Sequence, residues 1–388
     1  MKQKRFTLLH MILAAVLAVI LTLGGVALGA FLTIGPKGLT LLEGLGLINT
    51  LFVGEYEEDK VLDSAMSGMV AGLGDRWSYY LNPARHQATK EQRQNVYVGI
   101  GVTVGYDDPD GLLLLSVEPD GPADKAGLKA GELIVSVDGT SMAGEGQNEG
   151  VALIQGDAGT KVSLELRGTD GAVRTVEVIR AKVETKPVSY ELLSNKVGYI
   201  KVKNFYDRSA EGVKAAVDDL MAQGATALVF DMRNNGGGYL HELTAMLDYL
   251  LPEGPIFRSK TRSGRETVTN SDEHCIDLPM ATLVNKDTYS AAEFFGAELQ
   301  EWGVGVIVGE ETSGKGYSQQ TFPLPGGGGL GISTGAYFTG QGTSLIGTGV
   351  TLDKELSLSD EDNTLLRANA LPHADDAQLQ TALALLEK

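Results

Sequence analysis

The stretch Ala281-Thr-Leu-Val-Asn-Lys-Asp-Thr-Tyr-Ser-Ala-Ala-Glu-Phe-Phe295 decides the fold. Its first four residues form an apolar run of the length and character of a strand buried on both faces. A helical pattern then begins at Ser290 and is carried by Phe295, Leu299 and Trp302. The same grammar recurs on either side. Ala227 to Phe230 and Val304 to Val308 read as buried strands, and Leu240, Leu243, Leu247 and Leu250 define a helix. Val213, Val217, Leu220 and Met221 define another, opened by Ser209 and stopped by Gly224. From about Lys186 onward this alternation predicts an α/β layered architecture, closed by a last helix through Leu379, Leu383 and Leu386.

Upstream the texture changes. Between Val96 and Thr185 short alternating runs are broken by glycine, with strand candidates at 101–104, 112–117, 132–137, 162–166 and 173–178. Two short helical stretches, near Ala123 and over 150–154, interrupt them, so the segment reads as one small β-rich module. Before it, Val61, Leu62, Ala65, Met66, Met69, Val70 and Leu73 recur at helical spacing up to Gly74. At the N-terminus Lys2, Lys4 and Arg5 precede a stretch from Phe6 to Pro36 free of Asp, Glu, Lys and Arg. About 20 apolar residues span a bilayer and basic residues stay cytoplasmic, so a transmembrane anchor over residues 1–36 is expected. The alternative is a cleaved secretory signal ending near Ala27-Leu-Gly29. Either reading exports everything that follows.

The 388 residues, 43% of them hydrophobic, are enough for two domains and an anchor. A net charge of −18 argues against a nucleic-acid partner, which needs clustered cations. The single cysteine, Cys275, excludes an intrachain disulfide, and the five histidines show no metal-ligand spacing. His241, in His-Glu-Leu-Thr-Ala, lacks the second histidine of a zinc-protease helix. Neither a cofactor nor a metal is expected.

Ser290 and Lys315 carry the chemistry. A serine attacks only when a neighbouring base takes its proton, and a lysine kept neutral by burial is such a base. Ser290-Ala-Ala-Glu293 also fits a capping box. The two roles are compatible, because a serine at a helix N-terminus leaves the Ala291 amide to face a developing oxyanion. Gly309-Glu-Glu-Thr-Ser-Gly-Lys-Gly-Tyr-Ser-Gln319 falls one residue short of a phosphate-binding loop: Gly316 replaces the magnesium-binding hydroxyl, and Glu310 and Glu311 repel phosphate. The glycines of Asn234-Asn235-Gly236-Gly237-Gly238 permit a tight strand-to-helix turn.

These segments resemble the carboxyl-terminal processing proteases, membrane-associated serine peptidases with a serine–lysine site and an embedded PDZ domain. Asp231-Met-Arg-Asn-Asn-Gly-Gly-Gly238 is similar to that family's Asp-x-Arg-Asn-Asn-Pro-Gly-Gly turn, with Gly236 where proline is usual. Gly121-Pro-Ala-Asp-Lys-Ala-Gly-Leu-Lys-Ala-Gly-Glu-Leu-Ile134 is similar to its PDZ signature, and Ala71-Gly-Leu-Gly-Asp75 and Gly349-Val-Thr-Leu-Asp353 match weaker landmarks. The resemblance implies an α/β protease core with an inserted PDZ domain and an N-terminal transmembrane helix. It divides the chain into an anchor (1–36), a helical region packing with the core (37–95), a PDZ domain (96–185) and a protease core (186–388). It makes Ser290 the nucleophile, Lys315 the general base and Gln319 the residue that orients the lysine. It also makes the Gly237 and Ala291 amides the oxyanion donors. Gly99-Ile100-Gly101-Val102 resembles the carboxylate-binding loop of PDZ domains, with Val151 and Ile154 lining the side-chain pocket. The expected partners are protein or peptide substrates with free, apolar C-termini, and the membrane through the N-terminal helix. A homodimer is compatible with the chain. The rival reading is an inactive PDZ-bearing scaffold that binds C-termini without cleaving them.

Overall fold

The computed structural model describes residues 8–106 and 108–387. The chain divides into two units, one ending at Ala65 and the other starting at Met66. In the first, Leu8–Leu51 is a long helix broken at Gly35, whose φ of 70° is non-helical, immediately before Pro36. Many apolar side chains of this helix, such as Leu17, Leu21 and Val26, are exposed. Among the described residues no helix is long and apolar enough to cross a membrane. The structure therefore does not support the transmembrane helix expected within residues 1–36, because a span needs about 20 consecutive apolar helical residues. Lys2, Lys4 and Arg5, the expected basic end, lie outside the described residues. The boundary at Ala65 also falls inside the region 37–95, which the sequence reads as one helical piece.

The second unit is built on a six-stranded sheet. Its order is Val188–Leu192, Val197–Val202, Ala227–Asp231, Met280–Val284, Gly305–Gly309 and Lys354–Glu355. The first pair is antiparallel and the rest are parallel. The strands Ala227–Asp231 and Met280–Val284 are buried at every position, which is why the sequence shows them as unbroken apolar runs. On one face, helices Ser209–Ala222, Leu240–Leu250 and Ala291–Glu301 bury Val217, Leu247, Phe294 and Phe295. On the other, helix Ala377–Leu386 brings Leu379 and Leu383 against Val229 and Leu283. Asp376 caps that helix by accepting from the Leu379 amide.

A second, antiparallel sheet joins Tyr79–Leu81, Gly329–Phe338, Gly254–Thr261 and Glu266–Ser271, with Tyr317–Pro323 also paired to Gly329–Phe338. The glycine run after Leu324 makes the tight turn of that last pair, where the Leu324 amide donates to the Gly328 carbonyl and Gly327 has φ 86°. Between strands Tyr79–Leu81 and Val188–Leu192 in sequence lies the β-rich module. Strands Val102–Gly105, Leu112–Val117, Leu133–Val137, Lys161–Arg167 and Val173–Ile179 form its sheet, with helices Pro122–Lys125 and Gln147–Ile154. Ile100, Leu112, Ile134, Leu164 and Val178 give it a core of its own. Val96–Gly99 pairs antiparallel with Ala181–Glu184 at its base.

Candidate active site

Ser290 stands beyond the carboxyl end of strand Met280–Val284, at the N-cap of helix Ala291–Glu301. Crevices at the carboxyl ends of parallel strands are where α/β sheets bind ligands. Its backbone is held at φ 61°, ψ −128°, an unfavourable region for a residue with a side chain. Neighbouring turns hold it there. The Asn234 amide donates to Asn285 Oδ1 at 2.9 Å, Asn285 Nδ2 returns a bond to Asn234 Oδ1 at 3.0 Å, and the Thr288 hydroxyl donates to the Met232 carbonyl at 2.9 Å. The glycine turn is thus stitched to the serine loop. A Cβ at Gly237, which has φ 77°, would lie 2.8 Å from the Ala291 amide nitrogen and 2.9 Å from Ser290 Cβ. No residue but glycine fits there.

Glu293 joins this loop to the lysine loop. Its Oε2 accepts from the Ser290 amide at 2.7 Å and the Lys315 amide at 3.1 Å. Its Oε1 accepts from the Thr312 hydroxyl at 2.6 Å and the Gly314 amide at 2.7 Å. Burial pushes the Glu293 pKa up, against these hydrogen bonds. The sequence shows only the helix-capping half of this arrangement.

Lys315 Nζ makes no hydrogen bond among the described residues, to Ser290 or to anything else. It lies over two aromatic rings, 4.8 Å from the centroid of Trp77 and 5.7 Å from that of Tyr289. Burial, assisted by repulsion from Arg93, pulls its pKa down to about 8 against the attraction of Glu293 and Asp75. The Tyr337 hydroxyl contacts both the Lys315 carbonyl and Ser290 Oγ, the latter at 3.4 Å. Its single proton is committed to the carbonyl, an acceptor only, so the longer contact is one to which serine can donate.

The structure places the remaining expected residues as follows. Gln319 lies in the same cleft, but its Nε2 donates to the Tyr317 carbonyl at 2.8 Å and to Ser333 Oγ at 3.1 Å, not to the lysine. Ser333 in turn donates to Asp75 at 2.7 Å, as does Ser78 at 2.6 Å. Burial pushes the Asp75 carboxyl up, yet these hydrogen bonds prevail and hold it below its ordinary value. The Gly237 amide is engaged by Asn235 Oδ1 at 2.8 Å. The Ala291 amide has no acceptor among the described residues, as expected for the first turn of a helix. The cleft, about 460 Å³, includes Leu240, Leu243, Phe257 and Phe294 in its lining.

In the β-rich module, Gly99, Ile100, Gly101, Val102, Val151 and Ile154 converge on one small pocket of about 60 Å³, together with Tyr97. Among the described residues one group of ligand-type side chains draws together, Asp207, His241 and Glu242. Glu242 already accepts from the Arg208 and Ala210 amides, at 3.0 and 2.6 Å. Its carboxylate serves the start of helix Ser209–Ala222.

Residues 196–356 match peptidase family S41 and residues 114–168 match the PDZ domain. The chloroplastic C-terminal processing peptidase of Tetradesmus obliquus is 31% identical over 311 residues, 75% of this chain and 67% of that protein. The carboxyl-terminal-processing protease of Picosynechococcus is 32% identical over 283 residues, 71% of this chain and 68% of that protein. Among solved structures, a photosystem II D1 C-terminal processing protease superposes with a TM-score of 0.50 at 27% identity, covering 90% of this chain and 93% of that one. Fold and relatives together define a serine-type peptidase that carries a PDZ domain. The chain belongs to the carboxyl-terminal processing proteases of peptidase family S41.

Proposed function

We propose that this protein is an exported endopeptidase that hydrolyses peptide bonds in protein substrates, with Ser290 as nucleophile and Lys315 as general base. The observation that carries the reading is Lys315 itself, a half-buried lysine with its pKa pulled down to about 8, in the same cleft as Ser290. Neutral Lys315 turns from its aromatic neighbours to take the Ser290 proton as the hydroxyl attacks the scissile carbonyl. The Ala291 amide, at the positive end of helix Ala291–Glu301, holds the oxyanion. The Gly237 amide is the second donor once it exchanges Asn235 for the oxyanion. Gln319 receives the lysine: with Nε2 held by Tyr317 and Ser333, its Oε1 is the acceptor for the ammonium. Lys315 then protonates the leaving amine, and water resolves the acyl-enzyme by the reverse path.

Substrates are protein chains that offer an apolar C-terminus to the PDZ pocket, where amides of the Gly99–Val102 loop receive the carboxylate. Membrane attachment and export belong to this proposal on sequence grounds alone, the charge-free stretch from Phe6 to Pro36. A homodimer has no structural support and forms no part of it. The scaffold alternative is disfavoured by the family assignment and by a serine held in an unfavourable conformation. The experiment is cleavage of an unstructured protein by wild type, Ser290→Ala and Lys315→Arg. Both variants should lose turnover by orders of magnitude, because arginine keeps its proton at every accessible pH. Near-normal turnover in Ser290→Ala would leave that serine a helix cap and no more.

A further inference from the structure

Lys315 Nζ has no hydrogen-bond partner among the described residues, and it lies against aromatic rings. Trp77 comes from the segment just before strand Tyr79–Leu81, and Tyr289 immediately precedes the serine. Their rings are 5.9 Å apart and inclined at 34°, and Nζ lies over both, at 4.8 and 5.7 Å. These distances are within the range of cation–π attraction.

The tyrosine ring needs a particular neighbour. A Cβ at position 236 would come within 2.6 Å of Tyr289 Cζ and 3.1 Å of Cε1. Gly236 has no positive φ, so the backbone there accepts any residue. What excludes a side chain is Tyr289. The glycine that departs from the similar proline-containing turn is thus the space the tyrosine occupies.

We propose that Trp77 and Tyr289 form an aromatic clamp that holds Lys315 as a cation away from Ser290 between turnovers, and that Gly236 is the vacancy the clamp requires. Trp77 and Tyr289 are then positioning residues, acting through the lysine. The significance of the clamp for turnover rests on the Ser290–Lys315 reading. Its existence does not. The charged groups around the lysine are Arg93 from helix Pro83–Arg93, Asp75 beside Trp77, and Glu293 from helix Ala291–Glu301. Arg76 lies over the Trp77 ring at 4.3 Å, a second cation on the same indole. Tyr337 contributes its hydroxyl at the Lys315 carbonyl. Removing a ring face while keeping an apolar side chain withdraws support from the charged form and leaves desolvation in place, so the lysine should release its proton at lower pH.

The test follows the Lys315 side chain directly. Full-length protein labelled with 13C-lysine is titrated by NMR, with Lys315 assigned through Lys315→Arg. Trp77→Leu and Tyr289→Leu should each lower the Lys315 midpoint by roughly half a pH unit to one, whereas Trp77→Phe should stay near wild type. Gly236→Ala should lower it as well by displacing the Tyr289 ring, and should change nothing further in a Tyr289→Leu background. The acid limb of peptide hydrolysis should move with the midpoint. An unchanged or raised midpoint in both leucine variants overturns the clamp, as does a Gly236→Ala effect of equal size with and without Tyr289. These outcomes are read on the ammonium, so they stand apart from the catalytic reading, which fails if Lys315→Arg still hydrolyses peptides.

Discussion

Replacing Glu293 by glutamine tests whether one carboxylate sets the distance between the two halves of the site. The side chain is fully buried and its oxygens serve donors from two loops: Oε1 takes Thr312 and Gly314, and Oε2 takes Ser290 and Lys315. Glutamine keeps one oxygen and turns the other into an NH₂ group. If the amide nitrogen faces Ser290 and Lys315, two fixed backbone N–H groups lose their acceptor. If it faces Thr312 and Gly314, only the Gly314 amide is stranded, because a hydroxyl rotates to another partner. The second orientation is favoured and leaves one unsatisfied buried donor, worth about 1–3 kcal/mol of stability. Glu293→Ala strands three amides and should cost roughly two to three times as much. Equilibrium urea unfolding reads the stability. Initial-rate kinetics on a chromogenic peptide should show kcat lower by roughly ten- to a hundredfold, since each 1.36 kcal/mol of lost alignment is a factor of ten, with KM little changed. Glu293→Gln that unfolds like wild type and keeps its kcat would show that the carboxylate neither stabilises nor aligns the site.

Other expectations follow from single contacts. Arg93→Met removes a cation that opposes protonation of Lys315. The lysine pKa should rise and the acid limb of the activity profile should move to higher pH, a shift opposite in sign to that of Trp77→Leu; an unmoved limb would remove Arg93 from the site's electrostatics. Ser333→Ala takes away one of the two bonds that hold Gln319, so kcat should fall by roughly fivefold, the equivalent of one ordinary hydrogen bond, and stopped assays at saturating peptide would show it. Asp376→Ala breaks one arm of the buried ion cluster in which Arg233 bridges Asp231 and Asp376, and should cost about 3 kcal/mol in urea unfolding. Gly101→Asp adds a charged side chain at a φ of 82° in the Gly99–Val102 loop, and should abolish binding of an apolar C-terminal peptide to the β-rich module, read by fluorescence titration; unchanged affinity would remove the loop from peptide recognition.

The core strands were legible because burial on both faces leaves an unbroken apolar run, as at Ala227 and Ala281. Helix Ala377–Leu386 was legible from Asp376 and its leucine spacing. The hairpin of Gly254–Thr261 and Glu266–Ser271 was not. Its second strand is mostly exposed and polar, so no apolar alternation marks it. Helix Pro83–Arg93 is marked locally by its start, where Asn82 accepts from the Arg85 amide and Pro83 opens the first turn. Within the site, Ser290 and Lys315 stood out because each follows a buried strand. Glu293 looked like half of a local capping box, because nothing local in the chain announces that residues 312–315 arrive at the same carboxylate. Trp77, from the turn before Tyr79–Leu81, and Tyr337, from strand Gly329–Phe338, reach the lysine and the serine from distant parts of the chain, and such contacts leave no local pattern. The turn over residues 234–238 was legible from its glycines, but the bond from the Gly237 amide to Asn235 depends on a side-chain orientation that spacing does not encode.

The central claim is that Lys315, as a free base, activates Ser290. The pH dependence of Ser290 acylation by a serine-directed phosphonate tests it most directly, with the adduct located by peptide mass spectrometry. The rate should climb tenfold per pH unit at acid pH and level off above about 8, the pKa to which burial pulls Lys315, and Lys315→Arg should label negligibly at every pH. Labelling of Ser290 that is independent of pH between 6 and 10, or that persists in Lys315→Arg, would contradict the account.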